Sequence, residues 1–228
     1  MKDILQDIVA HTHSLGFLTI VKVSNDNETV IESMAENRSV ILTATAHNKV
    51  KEFSGTFGMP NLEKLALHLK NPEYKENAKI NVISSERNGE VVPTHIHFQN
   101  AAGDFQNDYK FMNQAIIDEK LKLAKFKGVN WDIVFSPSVT AISRMKLMSA
   151  AHSEENVFTV KVEDNNLVFY FGNASAHAGS FIFEHGVSGS LKNTWAWPVS
   201  QVQSIINLDG DLTISLSDKG ALQITVDS

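Results

Sequence analysis

There is no cysteine among the 228 residues. Disulfides, thiolate zinc sites and cysteine nucleophiles are therefore excluded, and the composition fits a reducing compartment. No apolar run reaches the roughly 18–20 residues needed to span a bilayer. The opening MKDILQDIVAHTHS carries acids and histidines inside its apolar stretch, so it reads as neither a signal peptide nor a transit peptide. Nor is there a G-x-S-x-G elbow, a P-loop, a dinucleotide fingerprint, an H-E-x-x-H helix, an EF-hand loop or a low-complexity tract. Positive charge is scarce, with a formal net charge of −6. That argues against a protein that coats nucleic acid with its whole surface. It leaves room for a local basic face, because the field follows the distribution of charge and not its sum.

What is present is a repeated pattern in a chain of ordinary globular composition, 43% apolar and 20% charged. The length allows one large domain or two of about 110 residues. FGMPNLEKLALHLK (57–70) runs aromatic, proline, helix, and is followed by NVISSERNGEVV with a turn at Asn88-Gly89. FSPSVTAISRMKLM (135–148) repeats it, with Ser136 at the N-cap position, Pro137 opening the helix and Val139, Ile142 and Met145 as apolar positions. The run FTVKVEDNNLVFYF comes next, turning at Asn165-Asn166. WAWPVSQVQSIINL (195–208) precedes LTISLSDKGALQITV with its turn at Lys219-Gly220. The chain's opening, followed by GFLTIVKVSNDNETVIESM, is a fourth copy without its proline. Turn signals between alternating runs mark hairpins. The unit is a helix followed by a hairpin or meander, written four times.

Val160, Val162, Leu167, Phe169 and Phe171 recur at period two, as do Leu212, Ile214, Leu216, Leu222, Ile224 and Val226. That pattern belongs to antiparallel sheets covered on one face. Leu62, Leu65, Ala66 and Leu69 form a helical stripe that covers such a face, leaving Glu63, Lys64, His68 and Lys70 outward. The region 100–121 is the least strand-like and least repetitive, and reads in part as a connector. The expected division is an N-terminal domain 1–112, a connector 113–122 and a C-terminal domain 123–228.

Candidate chemistry is sparse. His95-Ile96-His97 would put two imidazoles on one strand face, within reach of one ion. The competing account has Ile96 and Phe98 in the core and both histidines toward solvent, with no acid at ligand spacing to complete a site. His11 and His13, if helical, lie some 200° apart around the axis. Asp209-Gly210-Asp211 reads as a turn, and Glu154-Glu155 and Asp118-Glu119 as solvated surface. Basic residues are more suggestive: Lys64, His68 and Lys70 on the second helix, Arg144 and Lys146 on the third, and Lys120, Lys122, Lys125 and Lys127 in EKLKLAKFKG. Singly each is a solvated position. They act together if the helices share a surface, as the repeat predicts.

Four helix-plus-meander units in this length, two per domain, resemble the DNA polymerase sliding clamps of the processivity fold. The SERNGE hairpin after the F-G-M-P-N-L-E-K-L helix is similar to the clamps of T-even-type tailed bacteriophages, and DLTISLSDKGALQITVDS is similar to their closing hairpin. The resemblance implies an α+β fold of two similar domains, helices on a concave inner face and antiparallel sheets outside. It implies a non-catalytic homotrimeric ring around double-stranded DNA, without sequence preference, metal or cofactor. The ring would tether the replicative DNA polymerase and be opened by a clamp loader, off the membrane, in the cytoplasm of an infected bacterial host. Helices 2–14, 60–70, 137–150 and 198–207 would face DNA through Lys2, Lys64, His68, Lys70, Arg144 and Lys146. Partner peptides would dock beneath a connector near 105–122. Subunits would meet through strand 178–186, with Phe181 and Phe183, and a strand near 105–112, with Tyr109 and Phe111.

Contacts that hold DNA without stopping on it go to phosphates, weakly and blind to sequence. A few cations per subunit suffice when symmetry multiplies them. Two features depart from the pattern. Asp3 and Asp7 make the first helix acidic, and Ser200, Gln201, Gln203 and Ser204 leave the fourth uncharged. The sequence also stops at Asp227-Ser228, where members of the family usually continue through one further strand, so the resemblance implies a truncation or an early end. A metal-dependent hydrolase using His95 and His97, or a non-catalytic binding module built from repeats, are the open alternatives.

Overall fold

The computed structural model describes residues 1–87, 89–122, 128–173, 175 and 177–227. Asn88 of the expected turn, and Lys125 and Lys127 of the basic run, lie outside them. The chain divides into two compact units, Met1–Lys125 and Phe126–Ser228.

The first unit opens with helix α1 (Lys2–His11), followed by strands β1 (Val21–Asn25), β2 (Thr29–Met34), β3 (Ile41–Thr45) and β4 (Gly55–Met59). Helix α2 (Leu62–Lys70) precedes strands β5 (Lys79–Arg87), β6 (Glu90–Gln99) and β7 (Gln106–Lys110). A two-residue strand β8 (Met112–Asn113) and helix α3 (Gln114–Lys120) complete the unit. The strands form two antiparallel sheets, β3-β2-β1-β4-β8 and β5-β6-β7. The β4 strand belongs in sequence to the second repeat but pairs with β1 of the first. Val21, Val23, Phe57 and Met59 point inward, where Leu5, Ile8 and Val9 of α1 meet Leu62, Leu65, Ala66 and Leu69 of α2 in one core. Burying a Leu, Ile, Val or Met side chain completely contributes about 1.5–3 kcal/mol.

The second unit repeats this plan. Its elements are β9 (Ile133–Phe135), α4 (Val139–Ala151), β10 (Val157–Glu163), β11 (Asn166–Gly172), β12 (Ala178–Glu184), β13 (Trp195–Pro198), α5 (Val199–Ile206), β14 (Asp211–Leu216) and β15 (Leu222–Asp227). The sheets are β12-β11-β10-β13 and β15-β14-β9, all antiparallel. Here too each lead-in strand crosses to the other repeat: β9 pairs with β14, and β13 with β10. Phe158, Phe169, Phe171 and Phe183 stack inside, closed by Met145 and Ala141 of α4 and Val202 and Ile206 of α5.

Three local expectations shift. The N-cap of α4 is Ser138, whose hydroxyl accepts from the Ala141 N–H at 3.1 Å, so Pro137 precedes the helix instead of opening it. Val139 is consequently 80% exposed, and the buried stripe runs through Ala141 and Met145. The β10–β11 turn centres on Asp164 and Asn165, both with positive φ, one residue earlier than expected. The largest difference lies in region 100–121, which holds β7, β8 and α3. Its polar letters conceal strand and helix because only Tyr109, Ile117 and a few neighbours need be apolar for it to dock.

Candidate nucleic-acid interface

In each unit two helices lie side by side, α1 against α2 and α4 against α5. The apolar stripe of each helix is committed to its core, so what a ligand meets is the remaining surface of the helix. Off these stripes stand Lys64 and Lys70 of α2 and Arg144 and Lys146 of α4, all exposed, with Arg144 on the side toward β12 and Lys146 on the side toward α5. None of these four cations pairs with an acid among the described residues.

The other two expected contacts are placed differently. Lys2 is half-buried and its Nζ donates to the Tyr74 carbonyl at 2.8 Å, tying α1 to the turn after α2. His68 is half-buried, its ring 5.1 Å from that of Phe98. Burial, and then the nearby Lys64 cation, hold its pKa below the usual histidine value, so it is neutral at neutral pH. Asp3 and Asp7 are exposed on α1, and Asp7 lies 3.0 Å from His11.

Between α4 and α5 runs an open cleft of about 380 Å³ whose polar lining includes Lys146, Glu155, Ser149, Asn156, Ser200 and Gln203. Ser149 donates to Gln203 across it at 2.8 Å. The Lys146 cation is offset there by the Glu155 carboxylate, so the cleft itself carries no net positive charge. Leu67 of α2 and Leu147 of α4 are also exposed, at 63% and 71%.

Lys120, the last residue of α3, stands elsewhere. Gly58 faces away from the core residues Phe57 and Met59, and Ile117 of α3 sits directly on it. Lys22, on the same outer face, pairs with Asp118 at 2.7 Å. The α3 helix therefore lies across the sheet from α1 and α2. Lys120 at its end is removed from the Lys64–Lys70 stripe.

The two strands expected to meet a neighbouring subunit, β7 and β12, are each at the edge of a sheet. The four aromatic side chains expected there turn inward. Tyr109 is buried and its hydroxyl donates to the Pro60 carbonyl. Phe111 packs 4.4 Å from Phe57. Phe183 stacks on Phe169 at 4.3 Å, and Phe181 lies 5.8 Å from the same ring. What the edges leave open is backbone, with Gln106, Asp108 and Lys110 on the outer face of β7 and Ser180, Ile182 and Glu184 on that of β12.

His95 and His97 do share the outer face of β6, with Ile96 and Phe98 in the core. The adjacent strand brings up an acid that spacing along the chain does not reveal. Asp108 stands opposite His97, and its Oδ1 lies 2.8 Å from His97 Nδ1 and 3.6 Å from His95 Nε2. Lys110 holds its other oxygen at 3.2 Å. The His97 hydrogen bond, foremost, keeps the Asp108 carboxyl below the usual range. Asp108 is thus engaged by hydrogen-bonding groups, and among the described residues no three histidine or acidic side chains are arranged to hold a metal ion.

No family model matches the chain. No curated protein matches it either. Among solved structures it is similar to PCNA from Thermococcus kodakaraensis, with a TM-score of 0.61 at 11% identity, over 94% of this chain and 87% of that one. The likeness supports the clamp architecture expected from the repeat and does not single out the clamps of bacteriophages. The likeness shows that the chain has a PCNA-like fold.

Proposed function

We propose that the chain is the repeating subunit of a ring that encircles duplex DNA and tethers a replicative polymerase, with no catalytic role of its own. The observation that carries this reading is the clamp fold over nearly the whole chain. The exposed, unpaired Lys64, Lys70, Arg144 and Lys146 on the helices support it, since phosphate contacts of this kind are weak and independent of sequence. The working form would be a homotrimer, closed heterologously by β7 of one copy beside β12 of the next. A sheet edge in each unit, β7 in the first and β12 in the second, is what such a closure needs. Duplex DNA, the polymerase and a clamp loader are the expected partners, with partner peptides meeting the segment near 105–122. A phage origin and action in the host cytoplasm rest on the resemblance of the SERNGE hairpin and the helix before it.

Light scattering over a concentration series tests the assembly: a species three times the 25.2 kDa chain is expected. Primer extension by a cognate polymerase with its loader tests the tether, and products should lengthen when the protein is present. A chain that stays monomeric and never lengthens products would remove the proposal.

A further inference from the structure

Two leucines stand in the open among the cations of the candidate interface. Leu67 lies two residues beyond the buried Leu65 of α2, and Leu147 two beyond the buried Met145 of α4. A helix turns about 100° per residue, so each leucine sits about 200° from that buried neighbour, on the side away from its core. Leu67 is centred between Lys64 and Lys70, each about 60° from it around the axis. Leu147 has Arg144 about 60° to one side and Lys146 about 100° to the other.

The cations alone exert a modest pull. Glu63 is exposed on the same side of α2, and Glu155 and Glu184 line clefts with Lys146 and Arg144. No acid pairs with these four cations among the described residues, so they stay open to an outside anion while part of their field is offset. Neither leucine belongs to a broad apolar patch. Beside Leu67 are Glu63, Lys64 and Lys70, and beside Leu147 are Ser143, Arg144 and Ala150, all exposed. Val139, the other well-exposed apolar residue of α4, stands about 12 Å away along the axis. An amphipathic peptide finds no row of adjoining anchors here. A duplex backbone suits both kinds of side chain, since it alternates phosphates for the cations with deoxyribose carbons for the leucine.

We propose that Leu67 and Leu147 touch duplex DNA, each resting on the deoxyribose surface between phosphates held by its flanking cations. This rests on reading α2 and α4 as the DNA-facing helices of a clamp. An apolar contact has no hydrogen-bond direction and releases no counterion. It therefore adds hold without adding salt dependence, and the side chain passes from one sugar to the next without breaking a directed bond.

The test is titration of the full chain with a short DNA duplex, by fluorescence anisotropy over a salt series, with melting curves recorded alongside. L67A/L147A and L67Q/L147Q should each bind about threefold to tenfold more weakly than the wild type, as partial exposure of two leucines dictates. Their logarithmic salt slope and their melting temperatures should match the wild type. The K64E/K70E/R144E/K146E variant should instead lose slope. Undiminished affinity in both leucine variants, a slope that falls as it does on charge reversal, or a lowered melt would each overturn the leucine contact. If charge reversal still lowers the slope, the clamp reading survives that failure. Absence of duplex binding by the wild type would remove both the contact and the DNA-facing assignment.

Discussion

Ile117 closes onto the bare backbone of Gly58: a Cβ added at that glycine would lie 2.8 Å from Ile117 Cβ. Real Cβ atoms do not approach so closely, so the glycine is what lets α3 lie against the outer face of β4. Gly58→Ala should destabilise the first unit by about 1–3 kcal/mol, the usual cost of overpacking. In a chain of this length that lowers the melting temperature by about 2–4 °C per kcal/mol. An unchanged melt would show that α3 does not rest there.

The cap of α4 separates two serines that look equivalent in FSPSV. Ser138→Ala should cost about 1 kcal/mol through loss of the Ala141 hydrogen bond. Ser136→Ala should cost little. Denaturant unfolding of the two variants, compared at their midpoints, decides between the caps.

Core and edge roles on β12 are separable because its side chains alternate. Phe183→Ala should destabilise the second unit by about 3–5 kcal/mol, since the ring is buried against Phe169. Ile182→Ala, on the outer face, should leave the melt nearly unchanged while weakening self-association. If Phe183→Ala melted like the wild type, the packing described for this core would be wrong.

Replacing Lys64, Lys70, Arg144 and Lys146 together by Glu should leave the dichroism spectrum intact and shorten the products of primer extension. DNA affinity should also lose part of its salt dependence, by about 0.9 in logarithmic slope for each phosphate contact removed. Full product length with the reversed protein would take these residues out of the DNA-facing set.

His68 supplies a pH prediction with a definite sign. Its pKa is lowered in the folded chain, so the unfolded chain binds the proton first as pH falls. The stability it contributes is complete above about pH 6.5, and declines as pH drops from there toward the lowered folded value. His68→Phe should flatten that part of the stability–pH curve, as seen in unfolding midpoints. A curve identical to the wild type would show that the ring is solvated.

Much of the architecture was legible because its signals are local. Leu62, Leu65, Ala66 and Leu69 lie on one side of a helix wherever that helix is placed, and Val160, Phe169 and Phe171 alternate in any strand. The sequence by itself therefore determined four helix-and-meander units and the buried face of α2, but not that of α4, where Val139 is exposed and Ala141 is buried. It also presented the exposed cations of α2 and α4, though it did not show that His68, off the same stripe, would pack against Phe98.

Only the tertiary structure decided which strands pair. The crossing of β4 to β1, and of β13 to β10, joins segments of different repeats, and registers of that kind depend on packing between distant faces. The meeting of Asp108 with His97, the burial of Tyr109 and Phe183, and the docking of α3 on Gly58 are all products of such pairings. Neighbours along a chain declare their shared face through periodicity. Neighbours across a sheet share none, so what stands beside an edge becomes visible only once the sheet is assembled.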